Sequence, residues 1–388
     1  MLLIFLLLII IFLLTILIKY FKLTKNQIIS ILISLGIIIF IINLDTSINS
    51  IINGCKLCFY SIIPTVFPFS FICNLLIYYD GIPIYSKIIG PLICKPLGLS
   101  KNTSFAIAAS FICGYPLGAK YSSQIYELGY INRDEYLRLL NIATNCGPIF
   151  ILGTIGSSLL KNVRFGYILL IANYLSIIFI GLLTRRKRCS KDININYSSK
   201  NNENFGQNFK NAINNALNTT LMVSAFIVIF SLIIGIIKNN ASLDIALNSL
   251  EHLLHLPKNF LSSLLYGSIE ITNGANIIAS SSINIHIKLA LISFLCSFSG
   301  LSIIAQSSAF MSIHNVPIMK YTLLKLLQGI FSFIITFIAS IILNSTISAS
   351  NISYNSYSNF SLCILLLLIL LVPFILKKAL NKLLFHLS

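Results

Sequence analysis

Between Met1 and Ile18 there is not one charged side chain, and apolar runs of similar length recur along the chain to about residue 376. Close to twenty apolar residues is the length a helix needs to cross the roughly 30 Å hydrocarbon core of a bilayer. Lipid offers no hydrogen bonds, so a spanning backbone must satisfy its own N–H and C=O groups, which helices do within one segment. The chain is therefore expected to be an all-α polytopic membrane protein. Composition agrees: 56% of residues are hydrophobic and 10% charged, against about 25% charged in soluble domains.

The formal net charge of +17 does not indicate nucleic acid, because the basic residues lie in short loops between apolar runs and form no continuous basic face. Nine cysteines are scattered. Cys55 and Cys58 form a lone CxxC with no second pair, so the cysteines read as buried thiols and no metal site is expected. His252 and His255 beside Glu251 read as an amphipathic surface segment. There is no HExxH, Walker A or GxSxG motif and no nucleophile–base set, so neither an enzyme nor a cofactor is expected.

Nine crossings are expected: 1–18, 27–43, 53–79, 139–160, 165–183, 212–237, 289–310, 319–343 and 362–376. The first lacks the positive start and small-residue end of a cleavable signal and reads as a retained helix. Pro64 and Pro68 are expected to kink the third. Amphipathic pieces cover 84–97 and 243–256. Two further apolar stretches, 102–120 and 258–280, are interrupted by Gly114-Tyr115-Pro116-Leu117-Gly118 and by Gly267-Ser268-Ile269-Glu270-Ile271-Thr272-Asn273-Gly274. Read as re-entrant hairpins, they leave 21 of the 27 Lys and Arg on one side. That bias puts the N-terminus outside and the C-terminus in the cytoplasm.

The chain then divides into two N-terminal helices (1–50), a first repeat (51–184), a basic polar linker (185–210), a second repeat (211–345), and a last helix with a basic tail (346–388). Each repeat holds a span, an amphipathic piece, a broken hairpin and two more spans. Three crossings per repeat is an odd number, so the repeats insert with opposite orientation. Inverted repeats with broken helices are the pattern of secondary transporters, which hold substrate near the midplane where the breaks meet.

The candidate site residues follow from the breaks. Glu270 is the one acidic residue inside an apolar stretch, where an ionisable group costs several kcal/mol unless it faces water, a partner or a ligand. It reads either as a substrate or coupling-ion group (proton or sodium), or as a carboxylate that caps a half-helix or pairs with a lysine. Thr272 and Asn273 accompany it. Gly114, Tyr115, Pro116 and Gly118 form the matching break, where unpaired backbone groups and a half-helix N-terminus suit an anion; a plain kink is the alternative. Lys120 either assists an anion or marks the membrane edge. Asn145, Gly147 and Pro148 interrupt one span, and Ser297, Ser299, Gly300, Ser302 and Gln306 its counterpart. They read as cavity lining or as interhelical bonds.

The stretches Phe105–Lys120, Asn145–Gly153, Gly267–Gly274 and Phe298–Gln306 together resemble the sporulation integral membrane family called YlbJ or SpoVV, over roughly residues 50–345. Its members carry nucleoside-recognition gate domains and are distantly similar to concentrative nucleoside transporters. Ser268-Ile269-Glu270 stands where those transporters have Gln-Thr-Glu. The resemblance implies a role in endospore formation, moving the planar aromatic dianion dipicolinate from the mother cell across the outer forespore membrane. A nucleoside or other small-metabolite carrier of the same fold, and a non-transporting scaffold for the spore envelope, are the alternatives.

Overall fold

The computed structural model describes residues 24–185 and 204–349, all-helical with no strand among them. The expected first span, most of the linker, and the last span with its tail lie outside the described residues.

The first helix, α1 (Lys25–Ile42), starts at Thr24, whose hydroxyl accepts from the Gln27 N–H while the Gln27 side chain accepts from the Thr24 N–H. This reciprocal cap satisfies two of the donors every helix start leaves open. The chain then turns through 98° into α2 (Leu44–Leu57), which continues through a π-helical segment (Cys58–Ile62) into α3 (Ile63–Tyr78). The wide turn falls just before Pro64. A proline has no N–H and its ring crowds the carbonyl one turn back, so the distortion sits where the ladder is already broken. The helix that covers the span expected at 53–79 begins nine residues earlier, at Leu44. After a second turn of 95° comes the short α4 (Gly81–Ile88).

The first hairpin is α5 (Ser104–Cys113) and α6 (Leu117–Glu127), joined by three residues. A broken helix follows. Its first half is α7 (Arg133–Ile142), its second a π-helical segment (Ile149–Leu159). The start lies six residues before the expected 139, because Asn132 caps Glu135 N–H and Asp134 and Glu135 sit in the first turn, where carboxylates favour the helix dipole. The half closes with α8 (Val163–Leu183).

The same order returns. The long α9 (Phe205–Lys238) is followed by α10 (Ala241–Leu253), a hairpin of α11 (Phe260–Ile269) and α12 (Ile271–Ser280), a broken helix of α13 (Ile285–Phe298) and α14 (Gly300–Met311), and α15 (Ile318–Ala349). Among the described residues, four helices are long and apolar enough to cross a membrane, counting α13 and α14 as one, and up to six if each bent pair is one span.

The two halves are held together along α2–α3 and α9, which run antiparallel. A β-carbon on Gly235 would lie 1.9 Å from Ser50 Oγ, and one on Gly54 3.0 Å from Ser231. Farther along, the Cys58 thiol meets the Ser224 carbonyl and the Phe71 and Phe209 rings meet edge to face. Glycine and serine at such crossings let backbones approach where lipid supplies no hydrophobic drive. A second seam joins α13 to α15, where Ser293 Oγ lies 2.7 Å from Ser332 Oγ and accepts from Thr336 at 2.6 Å.

Candidate substrate site at the paired breaks

In the first half the two breaks lie against each other. Helix α5 ends at Gly114, whose φ of +79° belongs to the left-handed region that glycine tolerates best. The next N–H, of Tyr115, donates to the carbonyl of Asn145 at 2.7 Å. Asn145 in turn donates through Nδ2 to Ile142 O (2.6 Å) and to Ser110 Oγ (3.2 Å). Backbone groups freed by the 143–148 break are thus met by the hairpin, as a low-dielectric interior requires. The fit is tight: a β-carbon on Gly114 would come within 2.5 Å of Gly147 N, and one on Gly118 within 1.6 Å of Ala143 O.

The second half repeats this contact with other chemistry. Between α11 and α12 stands Glu270, in extended conformation. Its carboxylate accepts from Thr272 N–H and Asn273 N–H, both at 3.0 Å, and from Asn273 Nδ2 at 2.9 Å. It caps the α12 half-helix. Lys238, at the end of α9, donates to Asn273 Oδ1 at 2.6 Å and so brings a cation beside the cap. The hairpin arms touch at Gly267 and Gly274. Ser299 and Gly300, with φ of +78° and +64°, break the next helix. A β-carbon on Gly300 would lie 3.2–3.4 Å from the carbonyl oxygens of Gly267, Ser268 and Ile269. In both halves, then, the hairpin's first arm ends on the start of the second segment of the broken helix. Neither that π-helical segment nor α14 has a side-chain cap.

The two pairs of breaks share one apolar cluster. Cys146, Ile151 and Ile155 of the first half pack with Ile271, Ala275 and Cys296 of the second, and Tyr115 packs against them. The Tyr115 hydroxyl is buried with no nitrogen or oxygen partner and lies against the Cys146 thiol, with Cys296 near. Two amides tie the halves further: Asn173 of α8 donates to Ser297 Oγ at 3.0 Å, and Gln328 of α15 to Asn145 Oδ1 at 3.5 Å. The last helix of each half thus reaches the break of the other.

Gly114, Tyr115, Pro116, Gly118, Asn145 and Gly147 therefore meet at one break, and Glu270, Thr272, Asn273 and Ser299 at the other. Gln306 is buried on α14, where it donates to Ser302 Oγ while its own Oε1 has no partner. Lys120 is not brought to the breaks. Its ammonium bonds Ser70 Oγ (3.1 Å) and Asn74 Oδ1 (3.4 Å) on α3. Lys325, Gln328 and Asn173 were not singled out from sequence. Lys325 is fully buried. The signal for it was a stripe on α15: Tyr321, Lys325, Gln328, Ser332, Thr336 and Ser340 recur every three or four residues, and all are buried.

Tyr115→Phe separates packing from recognition. A buried hydroxyl with no nitrogen or oxygen partner costs about 1–3 kcal/mol, so the variant is expected to melt at or above the wild-type temperature. Its affinity for substrate is expected to fall. Thermal melts and binding assays on the same preparation check both.

These elements define a multi-pass helical membrane protein with paired polar breaks. Residues 59–156 match the family model for nucleoside-recognition gate domains, a stretch that contains the first hairpin and its partner break. The chain is also 24% identical over 312 residues to the sporulation integral membrane protein YlbJ of Bacillus subtilis (strain 168), an alignment covering 72% of this chain and 74% of that one. The resemblance read from the break residues is borne out by both. No solved structure gives a significant match.

Proposed function

We propose that the protein is a secondary-type transporter needed for endospore formation, which moves a small anionic substrate by alternating access between two inverted repeats. The observation that carries this reading is the pair of polar breaks in one apolar cluster, with the Tyr115 hydroxyl buried beside them.

In this reading the repeats span 51–184 and 211–345. The antiparallel run of α2–α3 against α9 is what opposite insertion would give. The N-terminus lies outside and the C-terminus in the cytoplasm, in the mother-cell-derived outer forespore membrane. The substrate is dipicolinate, whose two carboxylates suit the uncapped starts of α14 and of the Ile149–Leu159 segment. Glu270 takes part in coupling, to a proton or to sodium. A nucleoside is the second reading, favoured by the gate match over 59–156.

Uptake of labelled dipicolinate by vesicles containing the purified protein tests the proposal. Saturable uptake that unlabelled dipicolinate suppresses and nucleosides do not is expected. Suppression by nucleosides moves the assignment to the second reading. No uptake under any ion gradient would leave the spore-envelope scaffold.

A further inference from the structure

Lys325 places an ammonium at the first break with no charged partner among the described residues. Its Nζ donates to the carbonyls of Asn141 (3.4 Å) and Thr144 and to Gln328 Oε1 (2.8 Å). Three donors meet three neutral oxygens. Two of these belong to the end of α7 and the unwound stretch after it, where carbonyls have lost their intrahelical partners. The third comes from α15 of the other half, so the cage bridges the halves. Gln328 also bonds Asn145, whose carbonyl holds Tyr115 N–H at the hairpin turn.

A lysine is an expensive way to satisfy such carbonyls. Taking an unpaired charge out of water costs several kcal/mol, whereas a glutamine or serine would donate to a helix end without that penalty. The position makes sense if the site needs a cation. Carbonyls from an unwound stretch and a half-helix C-terminus form the donor set with which broken-helix carriers hold a monovalent coupling ion.

We propose that Lys325 is a tethered substitute for sodium: its ammonium fills the cation site of the first break, so that the protein neither binds nor needs Na⁺ there. The inference builds on the transporter reading for its meaning in coupling. The occupancy itself is tested by binding, so failure of dipicolinate uptake would leave the result standing.

The experiment is thermal melting of the purified full-length protein in choline chloride and in NaCl. Glu270→Gln, which removes the other candidate cation group and keeps Lys325, is expected to melt at the same temperature in both. Lys325→Ala is expected to melt lower in choline and to recover by roughly 5 °C or more in saturating Na⁺, since a ligand bound only by the folded state raises its apparent stability. Lys325→Ser, which also vacates the cage, should recover in the same way. Saturable stabilisation by Na⁺ of the Glu270→Gln protein with Lys325 intact overturns the proposal. So does a folded Lys325→Ala that ignores Na⁺. Failure of both variants to fold in either salt overturns it too, because a cage that Na⁺ can refill would be rescued.

Discussion

Gly118→Ala is expected to abolish transport and to leave little monodisperse protein after extraction. The added methyl would stand 1.6 Å from the Ala143 carbonyl oxygen and 2.9 Å from Ser110 Cβ. Ordinary overpacking costs about 1–3 kcal/mol because side chains give way. Here the obstacle is backbone, and that carbonyl belongs to the break the hairpin must fit. Relief would push α6 away from α7, pulling Tyr115 N–H off Asn145 O. Gly153→Ala is the control on the same half: a β-carbon there meets nothing within 4 Å. The comparison is read by chromatographic profile and melting temperature. If Gly118→Ala keeps both, the two breaks are not in the contact described above.

That contact also shows what the sequence could and could not tell. Glycines, joined by proline in the first half and by serine in the second, marked the two hairpin turns and the two helix breaks, because glycine and proline act on the backbone where they stand. Orientation was less legible. Lys120 lies two residues past the Gly114–Gly118 break, yet helical phase turns it to Ser70 and Asn74 of α3. Lys325 falls inside the span expected at 319–343, seven residues after the first residue of α15. Its neighbours Tyr321 and Gln328 share its face, and that periodicity, not its distance from the helix start, was the informative quantity. The early start of α7 has a similar origin. Charged residues after Asn132 suggested a loop, but at a helix start they cap and neutralise it.

Glu270 stood open between a coupling role and a cap, and the geometry makes its substitution informative either way. Glu270→Ala is expected to destabilise the hairpin most, since three donors lose their acceptor: Thr272 N–H, Asn273 N–H and Asn273 Nδ2. Removing a helix cap costs about 0.5–2 kcal/mol, and bonds to a charged acceptor about 1.5–3. Glu270→Gln keeps one oxygen to accept and turns an NH₂ toward donors, so part of the cap survives. It also leaves Lys238 beside a neutral group. If the carboxylate is only a cap, the two variants should lose melting temperature in the order Ala then Gln, and the Gln variant should still respond to an imposed ion gradient. With the coupling role proposed above, Glu270→Gln is expected to retain most of its stability and to lose gradient-driven uptake by tenfold or more. Its passive exchange of substrate down a concentration gradient should be much less affected. Melting, driven uptake and exchange on the three proteins separate the cases. Full gradient dependence in Glu270→Gln would assign the carboxylate to the hairpin alone.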